Sequence, residues 1–153
     1  MTAATDIGDL AATSQSLRAV VHDSIAKAAP AWRDLQQVGA YAPYQRLDWI
    51  AAYLDAGFRP GTQVAILTIL ERDRPIALIP FEIVRKFGLR VAQIVGMSIS
   101  NGDAPVFDPR SAHLLTPKAL RDALATLPAD IVNFHCVASQ VGEHANPLAQ
   151  LGG

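Results

Sequence analysis

Four histidines, one cysteine and a few acidic and amide side chains are the groups of this sequence that could do chemistry. His135 stands beside Cys136, the residue types that a thiol nucleophile and its base would use. Neighbours on a strand point to opposite faces, so these two cannot readily pair. Cys136 is therefore read as a small buried residue. His135 shares a face with Asn133, and both are candidates to line a cavity; the plain alternative is a half-exposed polar face. Asn101-Gly102-Asp103 is turn chemistry first. Polar loops at strand ends also build sites, which keeps Asn101 and Asp103 as candidates. Tyr44 and Arg46, with Tyr41 and Gln45, gather at an expected helix start, where free N–H groups favour an anion. An ordinary exposed helix start is the competing reading. His22, His113 and His144 fall in weak or loop segments and are expected to be solvated.

Sharper motifs are lacking. The ten glycines are dispersed, with no G-x-G-x-x-G and no G-K-[ST]. There is no G-x-S-x-G elbow for a hydrolase nucleophile. No C-x-x-C or H-E-x-x-H occurs, so no metal is expected.

The chain that must position these residues has 153 of them, the size of one domain. Half are hydrophobic and 18% are charged, which excludes a disordered chain, a coiled coil and a collagen-like repeat. Thirteen Lys+Arg against fourteen Asp+Glu leave a formal charge of −1, so nothing favours a nucleic-acid partner. A lone cysteine excludes an internal disulfide framework. The longest apolar stretches, Val64–Leu70 and Pro75–Phe81, are far short of the roughly 20 residues of a membrane helix. Met1–Ser16 carries Asp6 and Asp9 and no Lys or Arg, unlike a signal peptide. It reads as a disordered lead to a single unit over 17–151, and a cytoplasmic location is the default expectation.

Alternation over Ser16–Asp23 predicts a short strand. Ser24 could cap a helix running to Val38, but proline is costly inside a helix, so the helix is placed from Pro30 to Gly39. Trp32, Leu35 and Val38 would face inward. Pro43 opens a second helix whose stripe is Leu47, Ile50, Ala51 and Leu54, closed at Gly57. Gln63–Leu70 is apolar on both faces, as a central strand covered on both sides would be. A charged hairpin loop follows, from Glu71 to Pro75. Ile76–Val84 is the next strand, in which Pro80 marks a bulge, a splayed pairing or an edge. Leu89–Val95 is a third strand and Pro105–Phe107 a short fourth. Thr116-Pro117 starts a helix with stripe Leu120, Leu124 and Leu127. Asp130–Ala138 is the last strand, and Gly142 onward reads as loop. The fold class is α+β: a mixed, largely antiparallel sheet with helices on its faces.

Several segments read together carry a resemblance. They are Trp32-Arg33-Asp34-Leu35, Pro43-Tyr44-Gln45-Arg46-Leu47-Asp48-Trp49, Arg74-Pro75-Ile76-Ala77-Leu78-Ile79-Pro80-Phe81, Gly88-Leu89-Arg90-Val91, Asp130-Ile131-Val132-Asn133 and Asn146-Pro147-Leu148. In order and spacing, over about Leu17 to Leu151, they resemble the N-terminal portion of bacterial GNAT-superfamily proteins, the cellulose-biosynthesis-type acetyltransferases. That resemblance implies a lobe of an acyl-CoA N-acyltransferase-like pair, moving an acyl group from acyl-CoA to an amine or hydroxyl. Such proteins are usually more than twice this length. The resemblance places the acyl-CoA region, for acetyl-CoA or another donor, in a second lobe or another subunit. This chain has no glycine-containing pyrophosphate loop of the R/Q-x-x-G-x-G/A type, and no family catalytic residue maps onto it. Alone it is expected to hold no cofactor. The residue-level alternative is a non-catalytic interaction domain, and a small enzyme with a His135-centred site is a third reading. Half of a two-lobe architecture exposes strand edges, so self-association is expected.

Overall fold

The computed structural model describes residues 17–57, 61–96 and 102–152. The expected lead at 1–16, the Arg59-Pro60 part of a turn and the candidate Asn101 lie outside them.

The chain folds as the expected α+β layer. Strands β1 (Leu17–His22), β2 (Gln63–Glu71), β3 (Arg74–Lys86) and β4 (Leu89–Ile94) pair antiparallel in the order β1-β2-β3-β4. Strand β5 (Val106–Phe107) pairs antiparallel with β3, opposite Leu78 and Ala77. Strand β6 (Ile131–Asn133) closes the sheet beside β4, and this pairing is parallel. A second, two-stranded sheet joins β7 (Gln140–Val141) to β8 (His144–Ala145), the latter in the stretch from Gly142 expected to be loop.

The β2–β3–β4 meander follows from pattern. Both faces of β2 are apolar and both are buried: Ile66 and Leu67 are each fully buried, in opposite layers. The β2–β3 hairpin is tighter than the expected five-residue loop. Only Arg72 and Asp73 turn, both at positive φ (48° and 64°), the geometry whose twist matches the flanking strands. The bulge in this hairpin lies at Ile69/Leu70, not at Pro80, which pairs in register with Ile66.

Helix α1 (Ile25–Val38) begins five residues earlier than expected and holds Pro30 inside it. Ser24 caps it, accepting the Lys27 N–H. The proline is tolerated because it lies on the solvent side: both Pro30 and Ala26, whose carbonyl loses its usual partner, are exposed. Meanwhile Ala28, Trp32 and Leu35 are buried against the sheet. Val38, expected to close that stripe, is 53% exposed.

Pro43 opens a short 3-10 turn (Pro43–Gln45), and helix α2 (Leu47–Asp55) starts after it. Its first N–H, Leu47 N, is capped from α1 by Gln36 Oε1 at 2.6 Å. The buried positions are Ile50 and Tyr53, while Leu47, Ala51 and Leu54 are half-buried. The two helices share one layer with Ile66, Leu78, Val95 and Val106.

Helix α3 (Pro117–Leu124) covers the other face, with Leu120, Ala123 and the following Leu127 in a core that includes Leu67, Ile79 and Phe81. Thr116 caps it as expected, accepting the Ala119 N–H. Between β5 and α3, the 3-10 turn Pro109–Leu114 is clipped to the β2–β3 hairpin through Asp108. That fully buried carboxylate takes guanidinium bonds from Arg74 at 2.8 Å and Arg110 at 3.0 Å. Arg110 first, and then Arg74, hold its carboxyl below the usual carboxylate range.

Candidate functional site

The site candidates divide between two regions. Asp103 and His135 meet beyond the C-terminal ends of β4 and β6, and Asn133 is the last residue of β6. There the two parallel strands, paired from Val91/Ile131 to Gln93/Asn133, lose each other. The gap is filled by the chain itself. After leaving at Gly96, it is back at Asp103, which bridges Val137 in parallel, and runs on into β5 along the same edge of β3. One strand line is thus broken and resumed, with β3 on one side and the β6 extension on the other.

Asp103 staples this arrangement. Its N–H donates to the Cys136 carbonyl at 2.6 Å, and its carboxylate Oδ2 accepts the His135 N–H at 2.6 Å. Its own carbonyl accepts from Asn146 Nδ2 at 2.9 Å, and the same amide reaches the Ala138 carbonyl at 2.7 Å. Asn146 is buried, and its Oδ1 caps the next turn through the Leu148 N–H. Burial raises the Asp103 carboxyl above its ordinary range, partly offset by the His135 and Cys136 backbone contacts. With 1% exposure and its oxygen committed to main chain, Asp103 acts as a positioning group.

Asp103 and His135 are therefore brought together, but through the His135 backbone. The His135 side chain is on an exposed residue, and Asn133 is half-buried. Cys136 is exposed, against the expectation of a small buried residue. The expected long strand Asp130–Ala138 is also shorter. Its ladder stops at Asn133 because Asp103, not β4, takes the next backbone groups.

Tyr44 and Arg46 lie elsewhere, at the start of α2. Tyr44 is half-buried and sets its ring edge-on to Trp49 at 5.4 Å, and Trp49 stacks on Tyr53 at 5.6 Å. Arg46 is exposed and pairs with Asp48 at 3.1 Å, a contact of the class worth about 0–1 kcal/mol. Arg46 also lines an open groove of about 690 Å³ between α1 and α2, with Ile25, Ala29, Leu47 and Leu54. A second groove of about 530 Å³ runs between β1 and α3, lined by Leu17, Ala19, His113 and Lys118.

Two polar features are buried against expectation. Glu82 on β3 and Gln93 on β4 stand opposite each other, both buried, with Gln93 Nε2 donating to Glu82 Oε1 at 2.8 Å. Lys86 Nζ reaches Gln93 Oε1 at 3.4 Å. A lone glutamate in the apolar run Ile76–Val84 was the available signal. Gln45 is the second. It is fully buried, its carbonyl accepts Trp32 Nε1 at 2.9 Å, and its side-chain amide has no partner among the described residues. Among the described residues no group of three His, Cys, Asp or Glu side chains is placed to hold a metal ion. No helix of the described residues is long and apolar enough to cross a membrane.

No protein family, curated protein or solved structure matches this chain.

Proposed function

We propose that this chain is a lobe of an acyl-CoA-dependent acyltransferase that shapes the acceptor side of the cleft while a second lobe holds the donor. The reaction would move an acyl group from acyl-CoA to an amine or hydroxyl. One observation carries the reading: β4 and β6 run parallel, joined through α3, and then part. A pantetheine arm needs such a parting, together with free backbone donors for the thioester oxygen. In this chain the gap is already occupied. Asp103 N–H is spent on Cys136, His135 N–H on Asp103, and the residues that fill the line, Ala104, Val106 and Phe107, are all buried. The helix starts offer little more. Proline removes a donor at Pro43 and at Pro117, and the Ala119 N–H is taken by Thr116. Donor binding therefore belongs to a second lobe, supplied by another region or another subunit.

The test has two arms. Calorimetric titration of this chain with acetyl-CoA should give no saturable heat; a low-micromolar Kd would overturn the donor-free reading. Thiol release from acetyl-CoA by a donor lobe that associates with this chain should then rise when the chain is added. Association without any rise in thiol release would make the chain a non-catalytic interaction domain.

A further inference from the structure

The β3–β4 turn carries a sequence that folding alone does not favour. Every residue of Arg85-Lys86-Phe87-Gly88-Leu89-Arg90 is exposed. Phe87 and Gly88 form the turn, with φ of 51° and 80°. Two-residue turns of this kind prefer Asn-Gly or Asp-Gly, and a bulky residue at positive φ is a genuine outlier. The Phe87 ring gains nothing in return, being fully exposed at 104%. Arg85 and Arg90 stand directly opposite each other, and like charges in that relation weaken a strand pair. Lys86 adds a third cation. Asp130 is bound to Arg90 at 2.9 Å and also lies in the field of Arg85, and Lys86 Nζ reaches Gln93 Oε1 at 3.4 Å, so three cations at this tip face one carboxylate among the described residues. Leu89 and Ile131, 44% and 45% exposed, share one sheet face beside the turn, because Ile131 pairs with Val91 two residues on from Leu89.

We propose that this hairpin tip contacts an anionic bilayer surface, with Phe87 and Leu89 seated in the interface and Arg85, Lys86 and Arg90 against the headgroups. Three features favour a bilayer over other anionic partners. The patch is a convex tip, and a bilayer accepts a projecting ring without a matching shape. A stable protein complex needs about 800 Å² from each partner, more than a two-residue turn and its flanks present. Single-stranded nucleic acid is held along a groove by successive aromatic platforms, and this tip has one ring. The contact would be peripheral, reversible and weakened by salt.

The experiment is sedimentation of the whole chain with unilamellar vesicles, either of phosphatidylcholine alone or of phosphatidylcholine mixed with phosphatidylserine. Co-sedimentation is expected with the phosphatidylserine vesicles at low ionic strength, and its loss at high salt. Phe87→Asn suits the turn and should keep the fold by circular dichroism, while lowering partitioning about tenfold. The double variant Arg85→Ser, Lys86→Ser should lower it about 30-fold, about fivefold for each cation near an anionic surface. The proposal is overturned if the chain ignores phosphatidylserine vesicles at low salt, or if Phe87→Asn binds them as well as the parent. It is equally overturned if soluble poly-L-glutamate or poly(U) binds as tightly as the vesicles and displaces them. That result would assign the tip to an acidic protein or a nucleic acid.

Discussion

Val95 donates its N–H to the Pro80 carbonyl at 2.9 Å, and Pro80 has no N–H to return. Residues facing each other in this register normally exchange two bonds. The pair follows Phe81↔Ile94 and lies where the β3–β4 ladder ends. Just past Val95, Gly96 turns at φ 78°, with Trp49 packed so closely that a Cβ there would lie 2.8 Å from the ring. Farther along the same edge of β3, beyond the break, β5 takes over opposite Leu78 and Ala77. Proline, left-handed glycine and indole together mark the break in the strand line on which the candidate site depends.

Pro80→Ala should lengthen that ladder. The new N–H points at the Val95 carbonyl, so its hydrogen exchange should be slowed to the level of Phe81. Exchange at the rate of an exposed amide would show that the break does not depend on the missing donor.

Ile66→Ala and Leu67→Ala should each destabilise the chain by about 2–5 kcal/mol, as measured by urea unfolding. The two side chains are fully buried on opposite faces of β2, one beneath α1 and α2 and the other in the core beneath α3. A loss under about half a kcal/mol at either position, far below that range, would mean that its layer is not a packed core.

Gln45→Leu should stabilise the chain. A buried amide without a hydrogen-bond partner costs about 1–3 kcal/mol, and leucine keeps much of the volume without the polar atoms. The Trp32 bond is unaffected, because it goes to the Gln45 main chain. A lower urea midpoint for the variant would show that the amide makes a favourable contact in the folded protein.

Asp103→Asn should change how stability varies with pH. Burial raises the folded carboxyl above its unfolded value, so the folded state binds the proton more tightly. The carboxyl's contribution is most favourable below the unfolded value of about 3.9, and is lost as pH rises through the raised folded one. Asparagine retains an oxygen for the His135 N–H and cannot ionise. The melting temperature of the variant should therefore gain on the parent as pH rises from about 4 through the raised folded value. A gap that stays constant over that range would show that Asp103 does not titrate as its burial implies.

Local signals were legible wherever a few neighbouring residues decide the outcome. The two-faced apolar run Gln63–Leu70, the apolar strands after it and the Thr116-Pro117 cap needed only apolar runs, a hydroxyl and a fixed φ. They produced the antiparallel meander and the start of α3 as read, and with them the α+β class; the helix ends at Leu124, with Leu127 of the expected stripe beyond it. What depends on distant partners was not legible. Pro30 sits inside α1 because its exposed side forgives a lost hydrogen bond while Trp32 and Leu35 are held by the sheet, a balance struck across the fold. The parallel β4–β6 pairing, the exposure of Cys136 and the union of Asp103 with the His135 backbone arise where segments some 30 or more residues apart meet (|i−j| = 32 for the last). Periodicity reports which face of an element is apolar. Which backbone a given N–H finds is settled only when the layers close.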